Sequence, residues 1–288
     1  MTFTVESRAD GLEALMLRDV SAGSALVLAP RRGGLATRLV LAHREIFYLD
    51  EGTLRDETKN VRGGNPVLFP QPGKLVGDAF ARGARRGALK QHGFARATPW
   101  ELVATSTDAT ASATLELVSS DETRAAYPWD FTLRYTYSLR GNVLRIEQNI
   151  TNRSDTEMPF GAGFHPYFIV PQREKAAARI GTTATRAFDN VTKTTAALAP
   201  IDLSLPEVDL HLVDHGARPC TLEWSSGAIV VRGSAEYTRW VIWTVRDKDF
   251  VCVEPWTCAG DALNTGERLL VLAPGETRAL WVEYEALR

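Results

Sequence analysis

Between residues 131 and 139 the chain alternates without a break. Apolar Phe131, Leu133, Tyr135, Tyr137 and Leu139 are interleaved with Thr132, Arg134, Thr136 and Ser138. A period of two sends successive side chains to opposite faces of an extended strand, one dry and one wet. Gly141-Asn142 then supplies residues tolerant of positive φ, and Leu144, Ile146 and Ile150 resume the alternation, which predicts a β-hairpin. A second hairpin is predicted at the C-terminus. There Leu269-Leu270-Val271-Leu272 runs into Ala273-Pro274-Gly275-Glu276, a type II turn composition, before Leu280, Val282 and Tyr284 alternate with Trp281, Glu283 and Glu285.

Further short strands are predicted over residues 115–118, 222–224, 229–231, 240–245 and 250–254. Amphipathic helical periodicity is nearly absent, and residues 174–179, helical in composition, are too few to hold a helix unaided. No fixed-period repeat, low-complexity tract or Ser/Gly linker divides the chain. All-β folds of about 200–250 residues commonly form one domain. The expectation is a single all-β, antiparallel domain spanning residues 1–288.

Charge narrows the partners. A formal net charge of −2 argues against nucleic acid or an anionic membrane surface as the main partner. Arg82, Arg85 and Arg86 form a local cluster in a Gly/Ala-rich stretch, read as a solvated loop. Met1-Thr2-Phe3-Thr4-Val5-Glu6-Ser7 has no basic segment leading into an apolar run, and no apolar stretch approaches the ~18 residues of a membrane helix. The cysteines are Cys220, Cys252 and Cys258, an odd set without metal-binding spacing, so buried reduced thiols in a cytoplasmic protein are expected.

Four segments carry chemistry. Gly163-Phe164-His165-Pro166-Tyr167-Phe168 sets one histidine among aromatic rings, directly before a proline that biases it toward an extended backbone. An imidazole trades protons near neutral pH, although a buried histidine capping a strand is the alternative. In Arg62-Gly63-Gly64-Asn65-Pro66 the glycines permit close backbone approach and the arginine offers a planar fork of donors; the alternative is a Gly-Gly turn beside a solvated arginine. Gln91-His92-Gly93-Phe94-Ala95-Arg96 interleaves polar groups with an aromatic ring, which suits a sugar's hydroxyl edges and apolar faces, or else is a loop with a hydrogen-bonded histidine. Finally, Phe250-Val251-Cys252-Val253-Glu254-Pro255-Trp256 ends an apolar strand on a carboxylate. Alternation places Cys252 and Glu254 on one face, and apolar surroundings would raise the proton affinity of Glu254 toward that of a general base; a salt-bridged strand end is the alternative.

With these segments in this order, the chain resembles the aldose 1-epimerases, the galactose mutarotase-like family, and in particular its bacterial branch related to the hexose-6-phosphate 1-epimerases. The resemblance runs from about Leu49 to the C-terminus. It implies an antiparallel β-supersandwich with an open carbohydrate-binding cleft, and interconversion of α- and β-anomers by ring opening, rotation about C1–C2 and reclosure. It also implies that Glu254 is the general base toward the anomeric hydroxyl and His165 the general acid toward the ring oxygen, a pair on opposite sides of one ring. Arg62, Gln91, His92 and Arg96 would contact the sugar or a phosphate on it. Asp209 in Glu207-Val208-Asp209-Leu210-His211 would bind sugar hydroxyls, with Asp214 as the fallback. The resemblance implies no metal and no organic cofactor. The partner is a small-molecule aldose or aldose phosphate, met by a monomer or homodimer. Asn65 departs from the family, where an apolar residue is commoner after the glycine pair, and could alter cleft shape.

Two other classes remain open. One is a carbohydrate-binding β-sandwich without catalysis, against which the retained Glu254 and His165 argue. The other is a metal-dependent hydrolase using His92, His165, His211 and Glu254, which lack close ligand spacing such as His-x-x-x-His. Neither a serine elbow nor a dinucleotide fingerprint is present.

Overall fold

The computed structural model describes residues 2–9 and 12–287. Three large antiparallel sheets make up the architecture. One eight-stranded sheet runs in the order Arg179–Gly181, Cys220–Trp224, Gly227–Gly233, Thr277–Leu287, Val143–Asn152, Phe131–Arg140, Ala111–Val118 and Glu101–Ser106. The predicted hairpin is at its centre, with Phe131 paired to Asn152 and Arg140 to Val143, and Gly141 turning at φ 59°. Its apolar face is dry: Phe131, Leu133, Tyr135 and Leu139 are fully buried.

A second large sheet runs Thr194–Ala197, Arg186–Asp189, Glu207–Leu212, Arg239–Val245, Phe250–Trp256, Gly163–Phe164 and Val67–Leu68, with Tyr167–Ile169 also paired to Phe250–Trp256. A five-stranded sheet between Phe3 and Glu45 precedes both. The strands predicted around residues 115, 222, 229, 240 and 250 all form. The sequence reading missed the N-terminal sheet, although Leu15, Leu17, Leu26 and Leu28 alternate there and are buried. One apolar cluster extends from Leu15 to Ala286. Phe168 and Tyr284 join the two large sheets, 5.8 Å apart edge to face, and Phe47 packs 6.0 Å from each.

Two readings need correction. The C-terminal segment is not a hairpin: Leu270–Leu272 pairs with Met158–Phe160, whereas Thr277–Leu287 enters the eight-stranded sheet. The turn itself is present, with Glu276 N donating to Ala273 O at 3.0 Å and Gly275 at φ 76°. A turn reverses the chain; it does not require the flanking strands to pair. The arginine cluster is not a loop either. Ala79–Arg82 pairs with Arg85–Ala88, and the Arg85 guanidinium lies 5.0 Å over the Trp129 ring, a cation–π contact that also shields apolar surface. Among the described residues helix is confined to short segments: Glu51–Arg55, Asp121–Ala126 and Ala262–Thr265, with 3-10 turns such as Gln172–Glu174.

Candidate active site

The second large sheet carries the candidate site. Phe250–Trp256 is an inner strand, buried along its whole length, so its carboxylate sits in the sheet interior rather than at a wet edge. Across from it the partner is broken into Gly163–Phe164 and Tyr167–Ile169, with Gly163 opposite Trp256 and Tyr167 opposite Cys252. Continuing that register through the break sets His165 opposite Glu254. Pro166 lacks a ladder donor, and His165 N donates to Pro66 O at 3.1 Å instead, so the ladder opens where the two side chains meet. His165 Nε2 then lies 3.5 Å from Glu254 Oε1.

Aromatic packing fixes both groups. The Tyr167 ring stacks on His165 at 4.7 Å and 8°, while His92 and Trp243 meet it edge to face at 5.5 and 5.6 Å. Trp256 Nε1 donates to Glu254 Oε2 at 3.1 Å, leaving Oε1 free on the histidine side. Glu254 is 1% exposed and His165 8%. Burial holds the Glu254 carboxyl well above the usual carboxylate range, reinforced by the charge of Asp209. Burial likewise pushes the His165 imidazole down to about 3, helped by the positive charges of Arg96 and Arg62.

A cleft of about 600 Å³, within the size range of small-molecule sites, opens beside this pair. Of the predicted residues, Gln91, His92, Asp209 and Glu254 line it. His165, Arg62 and Arg96 are not among its lining residues, although His165 packs directly against His92, Trp243 and Glu254. Arg62 is exposed, and Arg96 Nη2 donates to Gln91 O at 2.7 Å, bracing the loop that presents Gln91 and His92. His92 sits at φ 70° with Nδ1 accepting from Gly73 N at 3.0 Å, which leaves the neutral ring's proton on Nε2. Burial, with the nearby charges of His165 and Arg96, holds the His92 pKa well below the ordinary value.

Asp209 lies on Glu207–Leu212, two residues before His211 on the same face. Asn190 Nδ2 donates to its Oδ2 at 2.7 Å and His211 Nε2 lies 3.4 Å from Oδ1. Burial pushes its pKa up, but contacts with His211 and Asn190 outweigh that and keep it below the ordinary value. The fallback, Asp214, is exposed, accepts from Thr185 and Arg186, and does not line the cleft. Asn65 does not shape the cleft: it is fully buried, with Nδ2 donating to Tyr284 Oη at 3.1 Å.

The sequence reading assigned no site role to Asn190, Lys74, Arg186 or Trp243, all cleft-lining residues that lie in unremarkable segments. His211 also lines the cleft; it entered the reading only as a metal-site alternative, though its i+2 spacing from Asp209 on a strand was a usable signal.

Comparison with known proteins identifies the family and the fold. The family model described as Aldose 1-epimerase matches residues 59–285. The chain is similar to the solved structure of the Slr1438 protein from Synechocystis sp. PCC 6803, with 36% identity, 99% of this chain and 98% of that one covered, and a TM-score of 0.92. A galactose mutarotase-like protein from Clostridium acetobutylicum shares the fold at 17% identity and a TM-score of 0.84, covering 100% and 99% of the two chains. A protein of Escherichia coli K12 named "Putative glucose-6-phosphate 1-epimerase" is 34% identical over 127 residues, 44% of this chain and 38% of that protein. The plasmid LacX protein of Lactococcus lactis is 33% identical over 115 residues, again 38% of its length. The chain thus spans well under half the length of either relative.

Proposed function

The chain belongs to the aldose 1-epimerase family, and from that premise we propose that it interconverts the α- and β-anomers of an aldose, with Glu254 and His165 moving the protons. The observation that carries this reading is their opposition across one broken ladder at 3.5 Å. The expectation of a pair on opposite sides of a ring gives way to a closer one. Mutarotation handles protons on the anomeric and ring oxygens, and both are bonded to C1. Two adjacent groups therefore serve both oxygens better than two groups separated by the ring.

Burial leaves both groups neutral in the sugar-free protein, so acting as base and acid requires one proton to pass from Glu254 to His165 as the sugar binds. A buried carboxylate with raised proton affinity is a strong base toward the anomeric hydroxyl once ionised. Once that proton reaches His165, an imidazolium of lowered proton affinity gives it readily to the ring oxygen. C1–O5 opens, the aldehyde turns about C1–C2, and reclosure on the other face returns both protons with the roles exchanged. Asp209, held ionised by its contacts, accepts hydrogen bonds from sugar hydroxyls, and Gln91 and His92 supply donors along the wall. Trp243 and Trp256 present apolar faces to the ring.

A phosphorylated sugar is the second reading. Lys74 and Arg186 line the cleft with no carboxylate salt-bridge partner among the described residues, and would suit an anionic substituent. Polarimetry of α-D-glucose, α-D-galactose and α-D-glucose 6-phosphate with the wild type, Glu254→Gln and His165→Asn tests both readings. Loss of catalysis in both variants is expected, and near-normal turnover in either overturns the assignment.

A further inference from the structure

Cys252 has no part in the proposed proton transfers. It is fully buried, does not line the cleft, and lies two residues before Glu254 on the same face of Phe250–Trp256. Its thiol, an imidazole nitrogen of His165 and a carboxylate oxygen of Glu254 all lie within 4.8 Å of one another. We propose that His165, Cys252 and Glu254 form a binding site for a soft divalent cation of the zinc class, and that the cation inhibits the enzyme by occupying its catalytic pair.

The spacing of the imidazole and carboxylate atoms matches one edge of a coordination shell. At Zn–N and Zn–O bonds of about 2.1 Å, ligand atoms on a tetrahedral ion stand ~3.4 Å apart. His165 Nε2 and Glu254 Oε1 already stand 3.5 Å apart, too far for a good hydrogen bond and close to that edge. Trp256 holds the other carboxylate oxygen, so Glu254 offers one ligand atom, and stacked Tyr167 fixes the imidazole plane. Three protein ligands leave a fourth position on the cleft side, where Glu254 forms part of the wall; that is the arrangement of an open rather than a closed zinc site. The thiol supplies the softness that selects zinc, cobalt or cadmium over magnesium or calcium, and gives up its proton to solvent on binding.

The same structure limits affinity. Metal-bound histidines ordinarily donate their second ring N–H to a partner, worth about 10–100-fold in binding. His165 Nδ1 is buried and has no such partner among the described residues. The site is therefore reversible and inhibitory, weaker than a structural zinc centre.

Chelator-treated protein titrated with Co²⁺ should develop one equivalent of a thiolate-to-cobalt charge-transfer band that Zn²⁺ displaces. Cys252→Ser should abolish that band and weaken zinc inhibition at least about tenfold. Its turnover without metal should stay unchanged, and its circular dichroism spectrum should match the wild type. Absence of the band in the wild type, or its persistence in Cys252→Ser through Cys220 or Cys258, overturns the site. Zinc inhibition that is not competitive with sugar overturns the inhibitory role. The inhibition arm rests on the proposed epimerase activity but the cobalt arm does not. A cobalt band in a protein without mutarotase activity would sink the function and leave the metal site standing.

Discussion

Replacing Glu254 with glutamine should move activity and stability in opposite directions. The side chain is 1% exposed, its Oε2 accepts from Trp256 Nε1 at 3.1 Å, and its only salt-bridge partner among the described residues is His165 at 3.5 Å. Glutamine has the same shape and can keep the tryptophan bond through its carbonyl oxygen, so sugar binding should persist. What it cannot do is take a proton from the anomeric hydroxyl. Removing a general base costs about 10²–10⁴ in turnover, or roughly 2.7–5.4 kcal/mol of activation free energy. Burial meanwhile disfavours the Glu254 carboxylate, a cost to folding at neutral pH that the amide does not bear. Relief on the order of 1–3 kcal/mol is expected, which raises Tm by several degrees in a protein of this size. Polarimetry of α-D-glucose, with kcat and KM separated, and thermal unfolding by circular dichroism measure the two effects. A variant that loses both activity and Tm would make Glu254 a structural carboxylate; one with near-normal kcat would remove it from the chemistry.

Other perturbations follow from the same geometry. The unfolded chain takes up a proton at His165 near pH 6.5, while the folded protein keeps the ring neutral down to about 3, so His165 removes stability as pH falls through that window. Wild type should lose roughly 3–6 kcal/mol relative to His165→Asn between the two limits; parallel urea midpoints of the two proteins across that range would refute the burial argument. Gly93→Ala should cost about 2 kcal/mol or more: Gly93 sits at φ 71° and a Cβ there would meet Phe69 O at 2.1 Å. An unchanged Tm in that variant would contradict the close approach. Asp209→Asn should raise KM for the sugar more than it lowers kcat, because the amide oxygen can keep the bond from Asn190 Nδ2 while the amide nitrogen no longer accepts from a sugar hydroxyl. Lys74→Ala with Arg186→Ala should raise KM for glucose 6-phosphate and leave glucose nearly unaffected; equal effects on both sugars would remove the anion role.

The central hairpin at Phe131–Arg140 and Val143–Asn152 was legible because its alternation and its Gly141-Asn142 turn are local signals that agree. Of the four chemical segments, Gln91, His92 and Glu254 reach the cleft and His165 packs against Glu254, whereas Arg62 and Arg96 do not line it, because residue type is a local signal and side-chain direction is not. Leu270–Leu272 was misread because a strand's own residues specify which face it buries, not which strand it joins.

The sequence by itself determined that this chain forms antiparallel strands, and it marked His165 and Glu254 as candidates for proton transfer. Tertiary structure alone decided that they face each other at 3.5 Å, with Cys252 beside them and Asp209 in the lining of the same cleft. The reason is that strand register is a non-local property. It is set where Gly163 meets Trp256 and Tyr167 meets Cys252, between segments separated by most of the second large sheet, and nothing within either segment records the partner's offset.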